Sequence, residues 1–146
     1  MEETYIALFL VSFLAATIVP LGSEWLLASM IIAGNSLPAT VAVASSGNYL
    51  GSVTTYLIGI FGGLYLMRNI LKIDEEKESR AKNFYKKYGS WTLLLSWLPV
   101  IGDAFCLVGG MAKVNFIKFS LLVFSGKAAR YLFVALAASE GSILFR

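Results

Sequence analysis

Histidine is absent from the chain, and cysteine occurs once, at Cys106. The first absence removes the commonest metal ligand and proton shuttle; the second excludes an intrachain disulfide or a cysteine-based metal cluster. No Ser/His/Asp set can be assembled, so neither an enzyme nor a metal or cofactor site is expected. The phosphate-cradling pattern GxxxxGK[ST] is also missing, because the Gly126-Lys127 pair lacks its upstream glycine. Charge is scarce as well: none falls between Glu3 and Glu24, and none between Glu24 and Arg68. The acidic opening MEETYIALF has no basic n-region, so a cleaved signal peptide is not expected and the first apolar segment should remain.

What is present is apolar. With 58% hydrophobic residues, 14% charged residues and a mean hydropathy of +0.73, the chain exceeds the apolarity of a soluble domain and predicts an all-α integral membrane protein. The charges gather in one segment, Arg68 to Lys87, which holds seven of the 12 basic and four of the nine acidic residues, 7 − 4 = +3, the net charge of the whole chain. Such a basic excess beside membrane segments places this connector in the cytoplasm. Its interleaved acids argue against nucleic-acid binding.

The chain repeats its plan. A shift of 79 positions lays Pro20 on Pro99, Glu24 on Asp103, Ser46 on Ser125, Gly47 on Gly126 and Asn48 on Lys127. Each copy is an apolar run ending at proline, an acid four residues later, a short apolar return, and a long helix with Ser-Gly and a polar residue near its middle. The expected organisation is one membrane domain, 1–146, with pseudo-repeats 1–67 and 88–146 joined by connector 68–87.

Within the first copy, Tyr5 to Val19 and Glu24 to Ala33 are each shorter than the ~20 residues of a straight crossing. Pro20 and Gly22 break the helix between them, Ser23 is placed to cap the second piece, and GNSLP (Gly34 to Pro38) turns the chain. Two half-helices around a break make a re-entrant hairpin, followed by a full span over Ala39 to Met67. That span carries a ladder of small residues, Gly47, Gly51, Thr55, Gly59 and Gly63, which predicts close helix packing. The second copy runs Trp91 to Leu98, a break at Pro99 and Gly102, a return over Ala104 to Ala112, the turn KVNFIK and a span over Phe116 to Ala138. Trp25, Trp91 and Trp97 read as bilayer or core anchors, and Cys106 as a packing residue.

Lys113 and Lys118 decide between topologies. Four plain spans would put the KVNFIK turn outside, against the positive-inside tendency. Re-entrant hairpins put that turn and the connector in the cytoplasm and both termini outside, so the repeats are inverted relative to each other. Counting a ~1.5 Å rise per residue from Phe116, Lys127 and Arg130 then lie roughly 16 and 21 Å into a core of about 30 Å. Cations at that depth require a carboxylate, water or the bundle interior, and Glu24 and Asp103 are the available acids. Two readings stay open, a transport path and a structural ion-pair network. Asn48, the repeat partner of Lys127, is expected to hydrogen-bond across the repeat axis or between helices. Half-helix N-termini at Ser23 and Gly102 offer further donors for an anion.

SWLPVIGDAFCLVGG followed by GKAARY, with GSE and SSGNYLG in the first half, resembles the DedA family of the SNARE-associated/VTT-domain superfamily, closest to its short YqaA-like branch. The resemblance spans essentially the whole chain. It implies two facing re-entrant hairpins and movement of lipids between leaflets, in bacteria often a polyprenyl-phosphate carrier or an aminophospholipid, coupled to an ion gradient. It also implies a bacterial inner-membrane location. Glu24 matches the family's first membrane acid, and Lys127 and Arg130 the branch's basic pair. Ser96 and Gly102 stand where larger members carry arginines, and Asn48 where they carry an acid. The expected partners are membrane lipids, with protons or Na+ as coupling ions and a homo-oligomer as a further candidate. A proton- or cation-coupled exporter of small solutes and a non-transporting membrane scaffold are the alternatives.

The topology is testable. Reporter tags at the N-terminus and near Glu76 should lie on opposite sides of the membrane; two cytoplasmic tags would replace the re-entrant hairpins with four plain spans.

Overall fold

The computed structural model describes residues 2–17, 22–69, 75–98 and 101–144. Every element in them is helical: α1 (Glu2–Ala15), α2 (Glu24–Ile32), α3 (Leu37–Asn69), α4 (Glu75–Tyr88), a 3-10 stretch (Gly89–Trp97), α5 (Ile101–Met111) and α6 (Phe116–Leu144). The helix breaks expected at Pro20 and Pro99 lie outside the described residues. The first two helices are short, as their apolar runs predict: α1 has 14 residues and α2 nine. At 1.5 Å per residue they reach only about 21 and 14 Å. Glu2, Glu3 and Glu24 occupy first turns, where a carboxylate complements the positive end of the helix dipole. After α2, Gly34 takes a φ of +93° and Asn35 donates from its side-chain amide to the Met30 carbonyl at 2.9 Å, which ends the helix.

One segment of the second copy differs from expectation. Trp91 to Leu98 reads as the core of an α-helical arm, but Gly89–Trp97 is a 3-10 helix. Gly89 starts it at a φ of +68°, and Thr92 donates its hydroxyl to the Gly89 carbonyl at 2.9 Å, a reach of three residues that suits the tighter winding. The KVNFIK turn takes its shape from Asn115, whose side-chain oxygen accepts from the Ile117 amide at 2.9 Å and the Lys118 amide at 3.4 Å, capping α6.

Among the described residues, α6 is the helix whose length and apolarity both suit a membrane crossing. Its 29 residues extend about 43 Å, beyond the ~30 Å hydrocarbon core. Leu121, Phe124, Phe133 and Leu136 are exposed along it, as are Ile6, Leu10 and Leu14 on α1. That surface is unsuited to water and suited to acyl chains.

The chain forms two compact units, residues 1–51 with 127–146 and residues 52–126. Each contains short helical segments, a part of α3 and a part of α6. In the first unit, Leu8, Leu27, Met30, Ile31, Ala44, Tyr131 and Ala135 form a buried apolar cluster drawn from α1, α2, α3 and α6. Here α1 and α3 run in the same direction at close range. A Cβ on Gly47 would lie 2.5 Å from the Phe9 carbonyl oxygen, and one on Gly51 would strike the Phe13 carbonyl. In the second unit α3 and α5 meet backbone to backbone, Gly59 against the Leu107 carbonyl and Gly110 against the Tyr56 carbonyl. The Tyr56 hydroxyl donates to the Val114 carbonyl at 2.5 Å, and its ring packs on Phe119 with centroids 4.4 Å apart. The glycines aligned by the 79-residue shift do the same job twice: Gly47 admits α1, and Gly126 admits the 3-10 stretch at the Leu94 carbonyl.

Since even one methyl group meets backbone at these positions, Gly51→Leu and Gly59→Leu should lower folded yield and melting temperature in detergent. Gly141→Ala, where nothing lies within 4 Å, should be neutral or stabilising. Wild-type melting in both leucine variants would remove the close-packing account.

Candidate functional site

In the first unit α6 carries three polar side chains within about one helical turn, Lys127, Arg130 and Tyr131. Arg130 has fourteen residues on either side of it in Phe116–Leu144, so it stands at the helix centre. Its guanidinium forms an ion pair with the Glu24 carboxylate, with the two side chains 21% and 26% exposed. The break before α2 makes this possible. α2 begins with its first carboxylate beside the middle of α6.

The adjacent residues form a second tie. The Ser23 and Tyr131 hydroxyls lie 2.5 Å apart in a buried hydrogen bond, so two successive residues of one segment hold two successive residues of the other. This corrects the expectation that Ser23 caps α2. Its side chain makes no cap hydrogen bond, because its backbone is helical (φ −76°, ψ −12°) rather than extended and aims the hydroxyl away from the first-turn amides.

One turn earlier on α6, Lys127 is 2% exposed and donates from Nζ to Asn48 Oδ1. Asn48 donates in turn from Nδ2 to the Ser12 carbonyl at 3.0 Å. An amide suits this position because its oxygen faces the cation while its nitrogen faces a carbonyl. The residues expected to meet through the 79-residue repeat therefore do meet.

Of the remaining expected site residues, Asp103 occupies the first turn of α5 in the second unit, partly buried. Gly102 does not offer a free donor: its amide is taken by the Leu98 carbonyl at 3.0 Å, and its missing side chain lets α5 lie against the Ser96 backbone. Tyr131 and Ser12 escaped the sequence reading. A usable signal for Tyr131 was its polar tip next to a mid-membrane arginine; the Ser12 carbonyl carries none.

The site divides its cations by access. Lys127 is enclosed, while Arg130 and Glu24 are reachable, and a guanidinium presents the planar fork that matches carboxylate and phosphate oxygens alike. An anionic group entering beside Arg130 would compete with Glu24 for that fork.

Residues 5–140 match the VTT domain family. The chain is 38% identical over 136 residues to the inner membrane protein YqaA of Escherichia coli (strain K12), covering 92% of this chain and 91% of the relative, and equally to YqaA of Shigella flexneri. It is 37% identical over 135 residues to an uncharacterized protein of Haemophilus influenzae, covering 86% of this chain and 81% of the relative. No solved structure matches the chain.

The Ser23–Tyr131 tie can be measured by a double-mutant cycle. Ser23→Ala and Tyr131→Phe should each lower unfolding stability by about 1 kcal/mol, and the double variant by little more than either alone. Additive losses would mean that the two hydroxyls act separately.

Proposed function

Because the chain belongs to the VTT domain family and is a membrane protein of the DedA type, we propose that it carries a lipid with an anionic phosphate headgroup between the leaflets of the bacterial inner membrane. The observation that carries this reading is the reachable Glu24–Arg130 pair at the centre of the membrane helix α6. A charged pair at that depth costs several kcal/mol to desolvate, and in membrane proteins such groups mark pathways more often than scaffolding. The headgroup phosphate takes the place of the Glu24 carboxylate on Arg130. Protonation of Glu24 removes its charge, releases the guanidinium and so couples proton uptake to headgroup binding. Asp103, the aligned acid, acts likewise in the second repeat, and the protein performs no covalent chemistry. A polyprenyl phosphate or a phospholipid fits the headgroup chemistry.

The same proposal includes the architecture: two re-entrant hairpins in inverted repeats, with the connector and the KVNFIK turn cytoplasmic and both termini outside. It is supported by the two units' common plan of hairpin plus two helix segments, by the matched roles of Gly47 and Gly126, and by the basic connector.

The test is flux in liposomes containing a labelled polyprenyl phosphate or phospholipid, across a pH series. Glu24→Gln and Asp103→Asn should stay folded by size-exclusion chromatography and lose the pH dependence of lipid movement, while Arg130→Ala should abolish it. Unchanged pH dependence in both acid variants would reduce the pair to a structural tie. Movement of a small cation or solute without lipid would assign the exporter instead, and no flux of either kind a scaffold.

A further inference from the structure

The enclosed polar side chains of the first unit include Ser12 on α1, Ser45 and Asn48 on α3, and Lys127 on α6, none of these more than 4% exposed. Asn48 is engaged on both sides, by Lys127 and by the Ser12 carbonyl. The hydroxyls of Ser12 and Ser45 are different: neither has a hydrogen-bond partner among the described residues. Ser45 precedes Asn48 by three residues and shares its helix face. Ser12 is the residue whose carbonyl Asn48 engages. Both orphaned hydroxyls therefore belong to residues neighbouring Asn48, one across its hydrogen bond to α1 and one a helical turn earlier on α3.

Buried hydroxyls are seldom left unpaired, and within a bilayer the surrounding acyl chains offer them nothing. The partner that fits is set by the groups present. A serine hydroxyl both donates and accepts, the lysine ammonium only donates, and the asparagine oxygen accepts. A metal cation would be repelled by the ammonium. Water both donates and accepts, and an internal water typically makes about three hydrogen bonds to otherwise unpaired buried groups.

We propose that this junction of α1, α3 and α6 is a bound-water site, in which the Ser12 and Ser45 hydroxyls hold water beside the Asn48–Lys127 pair. The lysine then sits in a hydrated polar chamber and its ammonium protons exchange with water at membrane depth. This site is separate from the Glu24–Arg130 pair and does not depend on which solute the protein moves.

Proton-detected solid-state NMR of the full chain in lipid bilayers, with 15N-labelled lysine, tests it. The Lys127 ammonium signal, identified by its loss in Lys127→Arg, should show a cross-peak to water. That cross-peak should weaken in Ser12→Ala and in Ser45→Ala, disappear in the double variant and persist in Ser45→Thr. It should not change when buffer chloride is replaced by gluconate. The alanine variants should also melt below wild type, because a dry orphaned hydroxyl would instead be a liability whose removal raises the melting temperature. Absence of the cross-peak in wild type, its survival in the double variant, dependence on the buffer anion, or alanine variants that melt at or above wild type would each overturn the proposal.

Discussion

A guanidinium at the centre of an apolar helix needs a carboxylate, water or a polar interior, and in the first unit Glu24 meets Arg130. Arg130 is placed by α6 alone, midway along 29 residues with exposed apolar side chains at Leu121, Phe133 and Leu136. Meeting it needs a carboxylate that arrives at the same depth from another segment. A continuous helix from the N-terminus could deliver one only at a chosen turn. A chain that stops after α1 and restarts at Glu24 delivers it on the first turn of a new helix, where the dipole also favours it. The neighbouring Ser23–Tyr131 bond then fixes the angle at which α2 meets α6.

Close packing makes these ties possible. In lipid, helices gain little from hiding apolar surface, so association rests on backbone approach and hydrogen bonds. Gly47 and Gly51 bring α1 against α3, and that approach carries Asn48 to the Ser12 carbonyl. In the second unit Gly59 and Gly110 bring α3 against α5, and Gly126 seats the 3-10 stretch. The glycine ladder read along α3 thus serves two separate partners, one in each unit. Its regular spacing follows from helical geometry, since every fourth residue returns to nearly the same face.

Access separates the two cations of α6. Lys127 lies 2% exposed behind Asn48, whereas the Arg130–Glu24 pair is about a quarter exposed. Three residues of helix separate an enclosed charge from a reachable one.

The sequence alone determined the class of protein, the shortness of the segments α1 and α2, the position of Lys127 and Arg130 along α6, the glycine ladder and the family. All of these are local or periodic properties: apolar run length, charge position, and residue spacing on one helix. It also aligned Asn48 with Lys127 at the 79-residue shift, and these two side chains are hydrogen-bonded in the structure. The tertiary structure decided what spacing cannot carry. Ser23 looked like a cap because capping is a local preference, yet its hydroxyl goes to Tyr131, 108 residues away, once the packed helices bring that ring tip closer than any first-turn amide. Gly102 looked like a donor at a helix start, yet its amide is used by Leu98 and its bare Cα by the Ser96 backbone. The arm at Gly89–Trp97 wound as 3-10 although its composition reads as an ordinary apolar helix. Which acid serves Arg130, and which cation can be reached, depended on segments more than a hundred residues apart arriving at one depth, and only packing of the whole unit sets that.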